Sequence, residues 1–377
     1  MPVYFEEIKK NFGFGWMRLP EKDGEIDIPA CCELADTFLA AGFNYFDTAH
    51  GYTNGKSESI LKAAVTSRYP RESYVITDKL STQYFTKNEE IRPFFEKQLE
   101  LCGVDYFDFY LMHSQDRNAY AKYKKCRAYE TVLELKEEGK LHHFGISFHD
   151  KADVLDQILT EYPQIEVVQI QFNYADYESA SIESRKCYEV CRKHNKPVIV
   201  MEPVKGGNLV QLPDEAQKIF DGLNGGSNAS YAIRFAAGFE GICMVLSGMS
   251  NMEMLKDNIS YMQDFKPLTA VEREAVDKVC ALFKAQDLIP CTDCRYCIEK
   301  CPKHISIPAL FACLNSYKRW GGWNSGYYYE NIHTIGAGRA DSCIGCGACE
   351  RLCPQHLPIR ELLKEVSQVF DKKEENT

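Results

Sequence analysis

The stretch FNYFDTAHGY, residues 43–52, begins as a short apolar run and ends in aspartate, histidine and tyrosine. A run of that length suits a strand buried on both faces, with its polar end emerging at one rim. Seven further runs share its character: FGFGW (12–16), SYVITDK (73–79), FDFYLMH (107–113), HHFGIS (142–147), VVQIQFN (167–173), PVIVME (197–202) and ICMVLSG (242–248). Between them lie helical candidates at Ile28–Ala41, Arg92–Leu101, Glu130–Glu138, Ala152–Leu159, Glu183–His194 and Met252–Met262. Strand, helix, strand at this rhythm implies parallel strands joined by right-handed crossovers. Eight such units predict an α/β chain whose first domain is a (β/α)8 TIM barrel, with a weak, glycine-rich first strand.

At 377 residues the chain exceeds the ~100–200 residues of an ordinary domain, which leaves room for a second, smaller one. The apolar content of 45% supports a substantial core, and no run of about 18 apolar residues suggests a membrane span. MPVYFEEIKK lacks the apolar core of a secretory signal, so a cytoplasmic protein is expected. A formal net charge of −10, with no Lys/Arg stripe, argues against a nucleic-acid partner.

The 17 cysteines stand out. Their odd number and the adjacent Cys31-Cys32 pair oppose a disulfide framework. Nine are scattered and read as small apolar core residues. The other eight form two C-x2-C-x2-C-x3-C-P runs, Cys291, Cys294, Cys297, Cys301-Pro302 and Cys343, Cys346, Cys349, Cys353-Pro354. Three thiolates so spaced can each take one corner of a 4Fe-4S cube, while the fourth, carried off by its proline, reaches the partner cube. One cluster would therefore use Cys291, Cys294, Cys297 and Cys353, and the other Cys343, Cys346, Cys349 and Cys301. Zinc is the alternative for C-x2-C pairs, and the doubled run with both prolines favours iron–sulfur. CPKHISIPAL (301–310) set against CPQHLPIREL (353–362) shows an internal duplication. This part resembles the two-cluster ferredoxins of α-helical type, with His304 and His356 as surface residues or tuners of a cluster. The expected organisation is a barrel over 1–286, a small, mainly α-helical iron–sulfur domain over 287–370 and a charged tail over 371–377.

In such a barrel, chemistry sits at the C-terminal strand ends and the loops beyond them. Asp47, Tyr52, Lys79 and His113 belong to three consecutive strand ends and can converge at one mouth. A phenol, an ammonium and carboxylate that tune it, and an imidazole are the equipment for moving a proton at a carbonyl or alcohol oxygen. FDTAHGYTNGKSE, ITDKL and LMHS resemble the corresponding signatures of the aldo/keto reductases, over roughly Gly13 to Asn258. The resemblance implies that Tyr52 is the general acid, that Lys79 and Asp47 tune it, and that His113 positions a small carbonyl or alcohol substrate. It also implies NADP(H) or NAD(H) as hydride carrier, held by Met17, Arg18, Asp47, Ser147, Gln169, Pro203, Lys205, Gly206, Leu209, Gly248 and Asn258. Departures from the family pattern are Phe148, where an asparagine is usual, and Gly248 and Met254, where cations often hold a 2′-phosphate.

A hydride carries two electrons and each cluster takes one. Carbonyl reduction with nicotinamide, the clusters linking to a ferredoxin or flavoprotein, is the first reading. A ferredoxin-driven reductase without nicotinamide, and a non-catalytic electron-transfer or redox-sensing protein, are the alternatives. The aromatic stretch KRWGGWNSGYYYEN (318–331) would either cover the barrel mouth or pack the domains together.

Overall fold

The computed structural model describes residues 4–179, 182–223, 225–285, 289–291, 293–321 and 323–371. Eight parallel strands close a barrel: β1 (Phe12–Gly15), β2 (Tyr45–Asp47), β3 (Val75–Leu80), β4 (Phe107–Gln115), β5 (Leu141–Phe148), β6 (Val167–Gln171), β7 (Val198–Met201) and β8 (Ile242–Ser247). Each pairs with its sequence neighbours, and β8 returns to β1 through the register Phe12↔Val245. The barrel is the one that the apolar runs predict.

The weakness of β1 as a sequence signal has a steric cause. A Cβ on Gly13 would lie 2.7 Å from Leu246 and 2.8 Å from Tyr45, so the interior leaves no room for a side chain there. Gly145 on β5 is equally confined, 2.6 Å from both Leu111 and Val167. The interior they serve is a layered cluster of Tyr45, Val75, Phe109, Leu111, Val167, Ile199, Met244 and Leu246. Tyr4, Phe5 and Ile8 cover one end of it, with the Phe5 ring edge-on to Phe109 at 4.9 Å. There His143 sits between Glu7 (2.6 Å) and Glu166 (3.3 Å). Burial pushes the His143 imidazolium down, but hydrogen bonds to Glu166 and Glu7 outweigh it and lift the value to about 9.

The chain divides into two compact units, Met1–Glu178 with Glu183–Val276, and Ser179–Ile182 with Asp277–Thr377. The division falls within the helix Ala270–Ala285. The expected boundary at 286/287 and the tail beyond Asp371 lie outside the described residues.

The second unit is helical and repeats itself. Tyr296–Glu299 and Ala348–Arg351 are short helices between cysteines, and Ile307–Trp320 and Ile359–Phe370 are the long helices that follow. Ile305, Ile307, Leu310, Phe311, Leu314, Ile359, Leu363 and Val366 form its core. Of the aromatic stretch, Tyr328 and Tyr329 are buried in this same core, Trp320 packs edge-on to Phe283 at 4.5 Å, and Trp323 is exposed.

Candidate active site

Parallel strands put all their C-terminal ends on one rim, and the four reactive side chains meet there. Lys79 on β3 is fully buried and donates from Nζ to Asp47 Oδ1 at 2.6 Å and to the Thr48 carbonyl at 2.7 Å. Gln169 Nε2, on β6, donates to the other Asp47 oxygen at 3.1 Å, so both carboxylate oxygens are engaged. Tyr52 opens the turn Tyr52–Gly55, in which Thr53 and Asn54 are left-handed. Its ring lies 4.9 Å from the Lys79 ammonium and edge-on to His113 at 5.8 Å. His113 Nδ1 is 2.7 Å from Ser81 Oγ.

The electrostatics follow from this burial. Desolvation opposes the charge on Lys79, but the Asp47 carboxylate and the Tyr52 phenol outweigh it and hold the ammonium above the ordinary lysine value. Burial likewise raises Asp47, against Lys79; a direct ion pair at 2.6 Å with a second donor on the carboxylate favours the ionised pair. Burial raises Tyr52, with Lys79 pulling the other way, so the phenol keeps its proton at neutral pH. His113 is pushed well below the usual imidazole value by burial first, and further by Lys79 and His149. It is therefore a neutral ring at the mouth.

Two features escape a reading of the sequence. His149, one residue past β5, is lowered to about 4 by burial and by Lys79, which makes it a second neutral imidazole in the field of the site. Nothing but its place after a strand signals it. On the opposite face of β3, Asp78 and Glu58 form a buried carboxyl pair. Burial and mutual repulsion raise Asp78 well above the carboxylate range, and burial lifts Glu58 to about 7. Gln98 Nε2 bridges Glu58 Oε1 and the Lys79 carbonyl at 3.1 Å each, and His50 Nδ1 lies 2.7 Å from Glu58 Oε2. This network backs the strand that carries Lys79.

Beyond β7 and β8 lies a groove of about 1080 Å³, at the upper end of small-molecule sites of ~300–1,000 Å³. Arg18, Pro203, Gly206, Gly248 and Asn258 line it as the sequence suggests, and Met254 does too. Asn258 Nδ2 donates to Ser247 Oγ at 3.0 Å, and Asn251 Oδ1 caps the helix Met252–Met262 by accepting from Met254 N at 2.9 Å. Ser147 is buried beside Gln169, its register partner. Met17 is exposed, Leu209 is fully buried, and Lys205 is buried in an ion pair with Asp176 rather than lining the groove. The charged lining comprises Glu202, Glu253 and Asp257 against Arg18 and Lys256. The groove's volume and the helix start at Met252 on its wall suit a dinucleotide.

In the second unit, one cavity is lined by Cys291, Cys294, Cys297 and Cys353 with Ile307, Phe311, Leu357 and Ile359. Another is lined by Cys301, Cys343, Cys346 and Cys349 with Ile305 and Leu363. The backbone around them is duplicated. Asp293 and Gly345, Arg295 and Gly347, and His304 and His356 are all left-handed at matching places. His304 N donates to Cys301 O and His356 N to Cys353 O, both at 3.0 Å, so each histidine closes the Cys-Pro turn in a conformation this residue type tolerates well. Both histidine side chains are exposed. A ring of four thiols around an apolar-walled space fits a 4Fe-4S cube.

Residues 11–281 match the aldo/keto reductase family, and residues 290–357 match the 4Fe-4S dicluster domain. The chain belongs to the aldo/keto reductase family. The NADH-specific methylglyoxal reductase of Escherichia coli is 29% identical over 210 residues, which cover 50% of this chain and 61% of that one. An aldo-keto reductase of Mycolicibacterium paratuberculosis is 26% identical over 212 residues, 55% of this chain and 66% of its own. The chain thus spans about three fifths to two thirds of the length of these curated relatives. Among solved structures, the Klebsiella pneumoniae aldo-keto reductase in complex with NADPH superposes with a TM-score of 0.59 at 20% identity, covering 71% of this chain and 90% of that chain. A Bacillus halodurans aldo-keto reductase gives 0.58 at 22%, covering 71% and 91%. At these identities the likeness speaks for the reductase fold alone.

Proposed function

We propose that the barrel reversibly reduces a small carbonyl compound to its alcohol with NAD(P)H, and that the second unit holds two 4Fe-4S clusters for electron transfer. The observation that carries this reading is the buried Lys79–Asp47 ion pair beneath the Tyr52 ring, with the neutral His113 edge-on to it. When bound, the nicotinamide supplies hydride chemistry and the clusters supply one-electron chemistry. Tyr52 donates the proton to the carbonyl oxygen as negative charge develops there, and Lys79, fixed by Asp47, stabilises the phenolate that remains. His113, kept neutral and hydrogen-bonded to Ser81, orients the carbonyl oxygen without competing for the proton. Asp47 and Gln169 keep Lys79 from swinging toward substrate. The ring of cysteines around each cavity supports the assignment of Cys291, Cys294, Cys297 and Cys353 to one cluster and of Cys343, Cys346, Cys349 and Cys301 to the other.

A groove with three carboxylates to two cations disfavours the extra 2′-phosphate of NADPH, so NADH is the expected donor. A reactive 2-oxoaldehyde such as methylglyoxal is a fitting probe substrate, and a soluble ferredoxin or flavoprotein a fitting electron partner. The test is anaerobic oxidation of NADH and NADPH with methylglyoxal by the holoprotein and by Tyr52→Phe. The expected result is turnover that this substitution lowers by about 100-fold or more. Product formed from dithionite alone, without nicotinamide, would instead favour the ferredoxin-driven alternative.

A further inference from the structure

Four of the six residues of the groove loop, Glu202 to Gly207, are left-handed: Glu202 (φ 57°), Lys205 (49°), Gly206 (64°) and Gly207 (102°). Two of them are not glycine, and the other two are glycines that by themselves would leave the loop free to move. Something must hold this backbone in place. Lys205 Nζ, almost completely buried, donates to Asp176 Oδ1 at 2.7 Å. The other oxygen of Asp176 accepts from Gln171 Nε2 at 2.7 Å and from Asn173 Nδ2 at 2.8 Å, and Asp176 N donates to Asn173 Oδ1 at 2.9 Å. Asn173 Nδ2 also reaches the Glu202 carbonyl at 3.0 Å, where Lys205 N donates as well. A buried ion pair repays its desolvation only when its remaining hydrogen bonds are satisfied, and here the carboxylate is satisfied by three side-chain donors.

We infer that the Lys205–Asp176 pair is the positioning element for nucleotide binding: it anchors the loop whose Pro203, Val204, Gly206 and Gly207 face the groove, and Lys205 itself does not touch the nucleotide. The inference rests on the nicotinamide reading given above. It opposes the simpler view that a lysine between glycine-rich loop residues reaches a phosphate directly. The two views differ in sign at Asp176. Asp176→Asn keeps the acceptor for Gln171 and Asn173 but turns an amide NH2 toward Lys205, which frees the ammonium. Direct contact then gives equal or tighter nucleotide binding, whereas an anchor gives weaker binding.

The experiment measures NADH binding to the holoprotein by calorimetry, together with hydrogen exchange of the 204–210 amides, for the native chain, Asp176→Asn and Lys205→Met. The expected result is a Kd raised about tenfold in both variants, the loss expected for a charge-assisted hydrogen bond. KM should rise with it while kcat at saturation changes less than about threefold. Exchange over 204–210 should quicken in both variants with no nucleotide present. An unchanged or lower Kd in Asp176→Asn overturns the inference. If Lys205→Met fails to fold, Asp176→Asn decides alone. If the native chain binds no nucleotide, the functional reading fails, and the exchange data still judge the anchor: protection unchanged in Asp176→Asn sinks it.

Discussion

The barrel mouth and the cysteine-bearing unit solve the same problem, holding reactive groups in register, by opposite means. At the mouth the protein's own groups grip one another: Lys79 on Asp47, Gln169 on Asp47, His113 on Ser81. In the second unit eight thiols ring two cavities, and the backbone supplies curvature through left-handed residues rather than contacts across the space. The first arrangement is complete as folded. On the proposed reading the second is closed by an iron–sulfur group in each cavity, so its stability should follow iron, whereas that of the barrel follows its ionisable clasps.

The largest effect that would break this contrast comes from exchanging a ligand between the duplicated runs. Cys353 lies in the second run but faces Cys291, Cys294 and Cys297. Cys353→Ser should remove about half the iron and abolish the signal of that one cluster by electron paramagnetic resonance, while NADH affinity of the barrel stays within about twofold. Loss confined to the cluster of Cys343, Cys346 and Cys349 would refute the exchanged fourth ligand.

A smaller effect concerns the barrel's closed end. Folding raises His143 to about 9 from 6.5, so its contribution is fully present below pH 6.5 and is lost as pH rises through about 9. Resistance to urea should therefore decline over that window by about 1–3 kcal/mol. His143→Gln should flatten the slope; a slope that persists in the variant assigns it elsewhere.

The smallest effect separates the two halves of the cysteine unit. Asp293 and Arg295 hold left-handed conformations that Gly345 and Gly347 adopt freely, and a Cβ on Gly345 would meet nothing within 4 Å. Gly345→Asp with Gly347→Arg should cost about 1–2 kcal/mol in total, mostly at Gly347 because aspartate tolerates the left-handed region, and quicken iron loss to a chelator. The exchange would be shown harmless by equal loss rates.

The same contrast explains what the sequence reveals. Buried strands advertise themselves as apolar runs, and the strand ends follow from those runs, so the meeting of Asp47, Tyr52, Lys79 and His113 at one rim is legible in the sequence. The cysteine spacing likewise foreshadows two groups of four thiols, each lining its own cavity. Two kinds of feature stay hidden. Backbone curvature at Asp293 and Arg295 is masked by side chains that do not announce a positive φ. The partner of Lys205 lies 29 residues away on another loop, so local spacing casts that lysine as a groove contact. Glu58 and Asp78 are silent for a related reason, since a carboxyl pair buried behind a strand has no linear motif.

The most direct test of the central claim is the rate of anaerobic NADH oxidation with methylglyoxal by the native chain and by Tyr52→Phe, with NADH affinity measured on both. The expected result is a rate lower by about 100-fold or more at unchanged affinity, since the phenyl ring keeps the packing and loses only the hydroxyl that carries the proton. Equal rates in the two proteins would remove Tyr52 as the acid and contradict the account.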